Sequence, residues 1–294
     1  MNTRNLRFRS NRVADIKALF HSELDHTYGH AEVEAFLLML AGEYLGWDRV
    51  QWLLGQDNGI DQSDLLRFHW ALEDLHRHRP IQHIIGHTDF CGCRIKVNTN
   101  VLIPRPETEE MTSLLIARFA THGSFLRILD LCTGSGCIAI ALAKAFPQAV
   151  VTAVDISAEA LTVARRNAAA NNVDIIFEQA DLLHKHHGIS DGAYDIIVSN
   201  PPYVRQSERA AMQPNVLDYD PHIALFVPDS DPLLFYRAIA STAQSTLADD
   251  GLLAVEINEA LATETAALLC EHGLHPTLHT DFRGRNRWLS ASRG

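Results

Sequence analysis

Cysteine is scarce in this sequence, and long apolar runs are lacking. The chain of 294 residues contains five cysteines, an odd and sparse set that favours a reducing compartment over a disulfide framework. The longest apolar stretches, such as 35–41, end at charged residues far short of the roughly 20 residues that span a bilayer. We therefore expect a cytoplasmic protein with no membrane partner. Residues 1–12 are rich in Arg but lack the Ser content of a transit segment.

Positive charge is also in short supply. Lys and Arg number 25 against 36 Asp and Glu, so the formal net charge is -11. Proteins that hold a phosphate backbone usually present a basic face, so nucleic acid is not expected as a substrate. No metal site is expected either, because Cys91 and Cys93 have no second cysteine pair to complete a set of four ligands. The His-rich stretch 184–187 is typical of a solvated loop.

The periodicity of apolar residues changes along the chain. From residue 13 to about 79 they recur at intervals of three and four, which predicts a series of amphipathic helices. The segment after Pro80 alternates around Gly92 like a short hairpin. From residue 125 onward, short apolar strands alternate with helices, which is typical of a parallel sheet with helices on both faces. The prediction is an α/β fold in three parts: a helical domain at 1–80, a hairpin linker at 81–106 and a catalytic domain at 107–294.

The first predicted strand runs into the turn DLCTGSGC at 130–137. Ligands of doubly wound sheets lie at the carboxyl ends of strands, beside this first turn, and Gly134 and Gly136 can adopt the positive φ that lets a ligand approach. The turn lacks both the dinucleotide pattern and the Lys-Ser/Thr of a phosphate loop, which favours a smaller nucleoside ligand. Asp155 ends the second strand about twenty residues later, where a carboxylate accepts from both ribose hydroxyls. Capping of the next helix is the alternative interpretation.

Two further strand ends carry candidate residues. Asp181 and Leu182 follow the third strand, where they could meet an exocyclic amine and a ring, or be ordinary loop residues. The fourth strand ends in the tetrapeptide NPPY at 200–203. Its two prolines have no N–H, so the loop offers carbonyl acceptors, an amide oxygen and an aromatic face. A planar NH₂ group fits these features better than a hydroxyl or a carboxylate, which favours a substrate site over a simple rigid turn.

Taken in order, these motifs resemble those of a known family. DLCTGSG, VD at Asp155 and SNPPY at 199–203 resemble class I S-adenosylmethionine-dependent N-methyltransferases, which have a Rossmann-like sheet. RPIQHIIG at 79–86 and LIPRPETE at 102–109 narrow the resemblance to the release factor N5-glutamine methyltransferases, the PrmC/HemK family. The resemblance covers nearly the whole chain. It implies that S-adenosyl-L-methionine methylates the glutamine of the Gly-Gly-Gln motif in class 1 peptide chain release factors, leaving S-adenosyl-L-homocysteine.

The resemblance also implies roles for individual residues. The expected cofactor-binding residues are Cys132, Thr133, Gly134, Ser135, Gly136, Asp155, Asp181, Leu182 and Asn200. The expected glutamine pocket consists of Asn200, Pro201, Pro202 and Tyr203, of which Asn200, Pro201 and Tyr203 are also the expected catalytic residues. Two positions depart from the family pattern: Cys132 stands where many members have Gly, and Asp220-Pro221 replaces the common Glu-Pro.

An amide nitrogen is a poor nucleophile, so the expected mechanism relies on positioning. We expect Asn200 Oδ1 and the Pro201 carbonyl to accept the two N–H bonds of the glutamine amide while Tyr203 packs on its plane. No general base is apparent in the motif, so the proton is expected to leave late, to water.

The protein is expected to be a monomer. Three other functions stay open at this stage. They are methylation of adenine N6 in DNA, methylation of a ribosomal-protein glutamine, and cofactor binding without catalysis. The negative charge, the helical front domain and the RPETE motif disfavour DNA.

Overall fold

The computed structural model describes residues 8–122, 125–184 and 192–293. The chain forms two compact units, Met1–Gly86 and His87–Gly294. The predicted division into three parts stays a prediction. The interpretations of the Arg-rich start and of the loop after His184 also stay predictions, because they fall on residues 1–7 and 185–191, which lie outside the described ranges. Within those ranges, the helices are all too short or too polar to cross a membrane.

The first unit is helical, as the periodicity predicts. Its α-helices are α1 (Val13–Tyr28), α2 (His30–Leu45), α3 (Arg49–Leu54), α4 (Gln62–His76) and α5 (Ile81–Ile85). The apolar faces of these helices meet in one core, in which Phe20, Leu37 and Leu72 are fully buried. Trp52 stacks on Phe68 within this core, with ring centroids 6.1 Å apart. The predicted helical N-terminal region is confirmed.

The second unit begins with the predicted hairpin. Strands β1 (His87–Phe90) and β2 (Cys93–Lys96) pair antiparallel. The buried amide of Asn167 fixes β2 to the rest of the unit, because it accepts from Lys96 N at 2.9 Å and donates to Lys96 O at 3.0 Å. The same amide donates to Ser135 O at 2.9 Å. One side chain therefore joins the hairpin to the turn that follows the first strand of the sheet.

The rest of the second unit alternates between strands and helices. The helices are α6 (Pro106–Phe119), α7 (Cys137–Ala145), α8 (Ala158–Asn171), α9 (Pro214–Leu217), α10 (Leu234–Thr246) and α11 (Ala262–Glu271). The strands are β3 (Arg127–Leu131), β4 (Val150–Asp155), β5 (Ile176–Gln179), β6 (Tyr194–Ser199), β7 (Val204–Arg205), β8 (Phe226–Val227), β9 (Leu247–Glu256), β10 (Leu274–Thr280) and β11 (Asn286–Arg293). Short 3₁₀ turns occupy Gln206–Ala211, His222–Ala224 and Glu259–Leu261.

Seven of these strands form the central sheet, in the order β10-β11-β9-β6-β3-β4-β5. Strands β9, β6, β3, β4 and β5 run parallel to one another, and β11 pairs antiparallel with both β9 and the edge strand β10. Side chains of β3 alternate between two apolar clusters: Ile128 packs with α7 in one, and Leu129 packs with α10 in the other. The predicted α/β fold, with helices on both faces of a parallel sheet, is confirmed.

The sequence order of the strands reverses between β3 and β6. From β3 the chain builds β4 and β5 on one side and then crosses to β6 on the other. At such a switch point, the connections leaving the two strands diverge and open a crevice at their carboxyl ends. The topology therefore favours a ligand site where β3 and β6 end.

Candidate active site

The strand register brings the predicted motifs to one end of the sheet. Leu131, the last residue of β3, lies opposite Val154 of β4 and Ser199 of β6. Asp155 follows Val154, and the NPPY loop follows Ser199. The turn after β3, the carboxylate that ends β4 and the loop after β6 are consequently neighbours.

A first cavity of about 250 Å³ opens at this end of the sheet. The predicted cofactor-binding residues that line it are Cys132, Thr133, Gly134, Ser135, Asp155, Asp181, Leu182 and Asn200. Pro202 lines it as well, with apolar side chains that include Ile138 and Phe235. The structure thus brings these predicted residues together around one mostly apolar space.

Gly136 lies behind this wall and does not line the cavity. It caps the N-terminus of α7 with φ of 80°, and a Cβ there would lie 3.1 Å from the Cβ of Ala164 in α8. Gly134 differs, because a Cβ added to it would meet no atom within 4 Å. One glycine lets two helices approach each other, and the other leaves space on the open side of the turn.

A buried carboxylate supports the turn from below. Asp130 is fully buried, and its Oδ2 accepts from Thr133 Oγ1 at 2.6 Å and from Ala139 N at 3.2 Å. Burial raises the pKa of Asp130 to about 7, against the opposing effect of these two hydrogen bonds. Cys132 adopts φ of 61°, a conformation that glycine occupies at lower cost. The departure from Gly at this position therefore falls on a left-handed residue.

Asp155 is held by backbone donors on both sides. Its Oδ2 accepts from Gly134 N at 2.8 Å, and its Oδ1 accepts from Ser157 N at 2.9 Å. Burial raises the pKa of Asp155, and the N–H donors oppose that rise. The capping interpretation is only partly met, because the Ser157 hydroxyl, and not Asp155, accepts from Ala160 N at the start of α8. A carboxylate oxygen has more than one lone pair, so each oxygen of Asp155 can accept a further hydrogen bond.

A second cavity, of about 210 Å³, lies on the other side of the NPPY loop. Pro201 and Tyr203 line it, whereas Pro202 lines the first cavity. Asn200 lines both. Successive residues of the extended loop thus face alternate sides, with the Asn200 side chain at the boundary of the two spaces.

Behind the loop, four side chains form a hydrogen-bonded chain. Asn200 Nδ2 donates to Thr108 Oγ1 at 3.0 Å, and Thr108 Oγ1 donates to Glu256 Oε2 at 2.6 Å. From the other end, Tyr203 Oη donates to Glu256 Oε1 at 2.8 Å. Burial raises the pKa of Glu256, and both hydroxyl donors oppose that rise. Burial also raises the pKa of Tyr203 well above its usual value, with the Glu256 charge adding to the effect.

An ion pair ties the segment before α6 to the loop after α9. Arg105 Nη2 lies 2.5 Å from Asp220 Oδ2, and the Asp220 side chain is 1% exposed. Arg105 also lines both cavities. Burial raises the pKa of Asp220, and the Arg105 charge opposes the rise. The Asp that replaces Glu in the family pattern is therefore buried and paired with a half-buried cation.

Comparison with known proteins identifies the family. Residues 20–86 match the PrmC N-terminal domain, and residues 102–217 match the methyltransferase small domain. A release factor glutamine methyltransferase of Flavobacterium psychrophilum is 41% identical over 95% of this chain and 99% of its own length. The chain belongs to the release factor glutamine methyltransferase family. Another member, from Bacteroides thetaiotaomicron, is 39% identical with the same two coverages.

Solved structures bear on the fold of this family member. A methyltransferase from Pyrococcus furiosus matches 69% of this chain and 90% of its own chain, with a TM-score of 0.51 and 19% identity. At that identity the match concerns the fold alone, and it agrees with the class I methyltransferase sheet that the motifs predict.

Two residues at the site of this family member could not be recognised from sequence patterns. Thr108 is one letter of the RPETE motif, and Glu256 is one residue of the last parallel strand. Neither lies in a pattern that predicts its role, since the two contact each other across 148 positions of sequence. Their only signals are position near the start of α6 and position at the end of β9, the strand next to β6.

Three side chains of types that can bind a metal ion lie together at one place in the described part of the chain. His21, Asp25 and His30, in the helical unit, have ligand atoms within 4.8 Å of one another. Both ring nitrogens of His21 already contact carboxylates, at 2.7 Å from Asp25 and 2.8 Å from Glu34. These side chains are hydrogen-bonded among themselves, so we assign no metal site to them.

Proposed function

We propose that this protein transfers a methyl group from S-adenosyl-L-methionine to the side-chain amide nitrogen of glutamine in the Gly-Gly-Gln motif of class 1 release factors. The observation that carries the proposal is the position of Asn200, which lines two adjoining cavities at the switch point of the sheet. One cavity has the features of a nucleoside site, and the other is lined by Pro201 and Tyr203 of the NPPY loop.

The first cavity suits S-adenosylmethionine. Asp155 would hold the ribose, since its oxygens keep free lone pairs beside the turn. The turn 132–135 would wrap the methionine and ribose part, where the absence of a Cβ at Gly134 leaves space. Asp181 and Leu182 would meet the adenine. Bound there, the cofactor supplies a methyl group activated by its sulfonium.

The second cavity suits a planar amide. Asn200 Oδ1 and the Pro201 carbonyl would accept the two N–H bonds of the glutamine, and Tyr203 would pack on its plane. Pro201 and Pro202 have no N–H, so this stretch of loop presents acceptors to the NH₂ group. Acceptors aimed at an amide nitrogen stabilise the positive charge that develops on it during transfer. The proton would leave late, to water.

The substrate class rests on the relatives. Their names state that they act on release factors, and the similarity extends over 95% of this chain. The proposed reaction takes place in the cytoplasm, on a protein partner, with the methyltransferase as a monomer. The formal net charge of -11 gives no support to DNA as the substrate of an NPPY site.

Mass spectrometry of methylated products tests the proposal. The protein is incubated with S-adenosylmethionine and, separately, with a class 1 release factor, ribosomal proteins and DNA, and the methyl group is located. We expect the label on the glutamine of Gly-Gly-Gln in the release factor. Label on adenine or on a ribosomal protein alone would contradict the proposal, and no label on any substrate would favour a binding protein.

A variant of the loop tests the site. Asn200→Ala should lower the transfer rate by at least about a hundredfold, the loss typical of one preorganised polar group at a transition state. Calorimetry should still detect cofactor binding. Asn58→Ala, a substitution of an exposed residue in the helical unit, is the control variant and should keep the transfer rate of the parent protein. Full activity of Asn200→Ala would refute the assignment.

A further inference from the structure

The hydrogen-bonded chain behind the NPPY loop has a direction. Thr108 Oγ1 carries one hydrogen, which points to Glu256 Oε2 at 2.6 Å. Toward Asn200 the same hydroxyl can only accept, so it faces the NH₂ end of the Asn200 amide, at 3.0 Å. The amide oxygen is thereby turned to the opposite side. An Asn amide has two orientations of nearly the same shape, and this contact selects between them.

Glu256 sets the direction of the chain. Tyr203 donates to one of its oxygens and Thr108 to the other, so both oxygens act as acceptors. Its side chain is buried at the end of β9, where water does not compete. The same carboxylate therefore fixes the hydroxyl that orients Asn200 and the hydroxyl of the aromatic ring two positions beyond Pro201.

We propose that Thr108 and Glu256 are positioning residues that hold Asn200 with Oδ1 presented to the substrate amide. The inference rests on the proposed function, because an acceptor at Asn200 matters only if the substrate brings N–H groups. Reversal of the Asn200 amide would put an NH₂ group against the NH₂ group of the glutamine. Two donors would then face each other, and the substrate would lose its alignment. The motif RPETE thus acts on the reaction through Thr108, which lines the first cavity and whose hydroxyl bonds to Glu256 and Asn200.

Substitutions of Thr108 separate this role from simple packing. Thr108→Val keeps the shape and removes the hydroxyl, whereas Thr108→Ser keeps the hydroxyl. Thr112 offers a matched control on the same helix, one turn later: it is fully buried, and its hydroxyl donates only to Thr108 O at 2.8 Å. Thr112→Val removes a buried hydroxyl without touching the chain of side chains that leads to Asn200.

The first readout is the rate of transfer. Thr108→Val should lower kcat at least tenfold, because the hydroxyl that orients Asn200 is lost. The cofactor Kd should stay within about twofold of the parent value, because valine keeps the shape of the wall that Thr108 gives the first cavity. Thr108→Ser should restore kcat to within about threefold, and Thr112→Val should leave it unchanged. If Thr108→Val does not fold, Thr108→Ala removes the same hydroxyl without adding volume.

The second readout does not depend on activity. Calorimetry with S-adenosylhomocysteine present compares a release factor carrying Gly-Gly-Gln with the same factor carrying Gly-Gly-Leu. The parent enzyme should prefer the glutamine form, and Thr108→Val should reduce that preference about tenfold, whereas Thr108→Ser and Thr112→Val should keep it. Merely structural damage would weaken both release factors equally.

The outcomes distinguish the two proposals. Unchanged preference and kcat in Thr108→Val, or an equal loss in Thr112→Val, would overturn the positioning role while leaving the proposed function intact. A parent enzyme that neither methylates the release factor nor distinguishes its glutamine and leucine forms would instead contradict the proposed function, and the positioning role with it.

Discussion

The backbone N–H of Gly134 donates a hydrogen bond to Asp155 Oδ2 over 2.8 Å, which joins the turn after β3 to the end of β4. The carboxylate that is proposed to hold the ribose is therefore also the residue that shapes the turn beside it. Loss of its charge removes a direct contact and loosens a neighbouring one.

Cofactor affinity should report this double role. Asp155→Ala should raise the Kd for S-adenosylmethionine by about ten- to a hundredfold, because hydrogen bonds to a charged group contribute about 1.5–3 kcal/mol. Asp155→Asn should cost less, since its amide keeps one acceptor oxygen. Isothermal titration calorimetry measures both, with the exposed change Asp174→Asn as control. An Asp155→Ala protein that binds the cofactor normally would exclude a ribose contact.

Substitution of the two glycines of the turn should affect different properties: stability for Gly136 and cofactor binding for Gly134. Gly136→Ala places a Cβ 3.1 Å from that of Ala164, so helix α8 must shift, and about 2–3 kcal/mol of stability should be lost. Gly134→Ala meets no atom within 4 Å and should cost about 1 kcal/mol. Its methyl group should instead hinder the cofactor. Melting of the cofactor-free variants gives the first quantity, and calorimetry gives the second; equal melting temperatures would contradict the distinction.

Asp130 should make stability fall as pH rises. Its pKa is raised from 3.8 to about 7 in the folded protein, so between those values the native state holds a proton that the unfolded state has lost. Stability from this group is complete below about pH 4 and is lost as pH rises through 7, at up to about 1.4 kcal/mol per pH unit. Asp130→Asn keeps an acceptor for Thr133 and Ala139 but does not titrate. Urea unfolding from pH 4 to 8 should give a shallower decline for this variant, and parallel profiles would disprove the assignment.

The pair Arg105–Asp220 should show strong coupling. Breaking a buried ion pair costs about 3–5 kcal/mol, and the 32% exposure of the Arg105 side chain reduces the expected loss for Arg105→Ala to about 2–3 kcal/mol. Asp220→Asn in the same chain should recover part of it, because no buried charge is then left without a partner. A double-mutant cycle by urea unfolding measures the coupling. Additive losses would mean that the two side chains act independently.

Much of the fold could be predicted because it depends on local pattern. The helices of the first unit could be predicted from the spacing of their apolar residues, and the parallel strands from short apolar runs. Two of these runs end at Asp155 and at the NPPY loop. The antiparallel pairing of β10 with β11 could not be predicted, because the exposed edge of the sheet weakens the apolar signal: β10 keeps one buried residue, Leu274. The pair β7 and β8 has only two residues in each strand, too few for a periodic pattern.

Some residues of the candidate site could also be predicted from the sequence, and others could not. The lining of the first cavity could be predicted because its residues stand at strand ends, and a motif orders them along the chain. The contact between Thr108 and Glu256 depends on tertiary packing over 148 positions and leaves no mark in local sequence. The φ of 61° at Cys132 is likewise hidden, because the residue type opposes the conformation that the turn imposes.

Asn200 and its neighbours separate two cavities of the candidate active site, and each cavity has lining residues that the other lacks. Three residues of the segment after NPPY, Met212, Val216 and Leu225, line the second cavity and not the first. If the second cavity holds the acceptor, as proposed, we expect substitutions at these three positions to change which molecule is methylated while the Kd for the methyl donor stays the same. Divergence toward new acceptor molecules would then begin at these three positions and not at Pro221, Ile223 or Ala224, which belong to the same segment but line the first cavity.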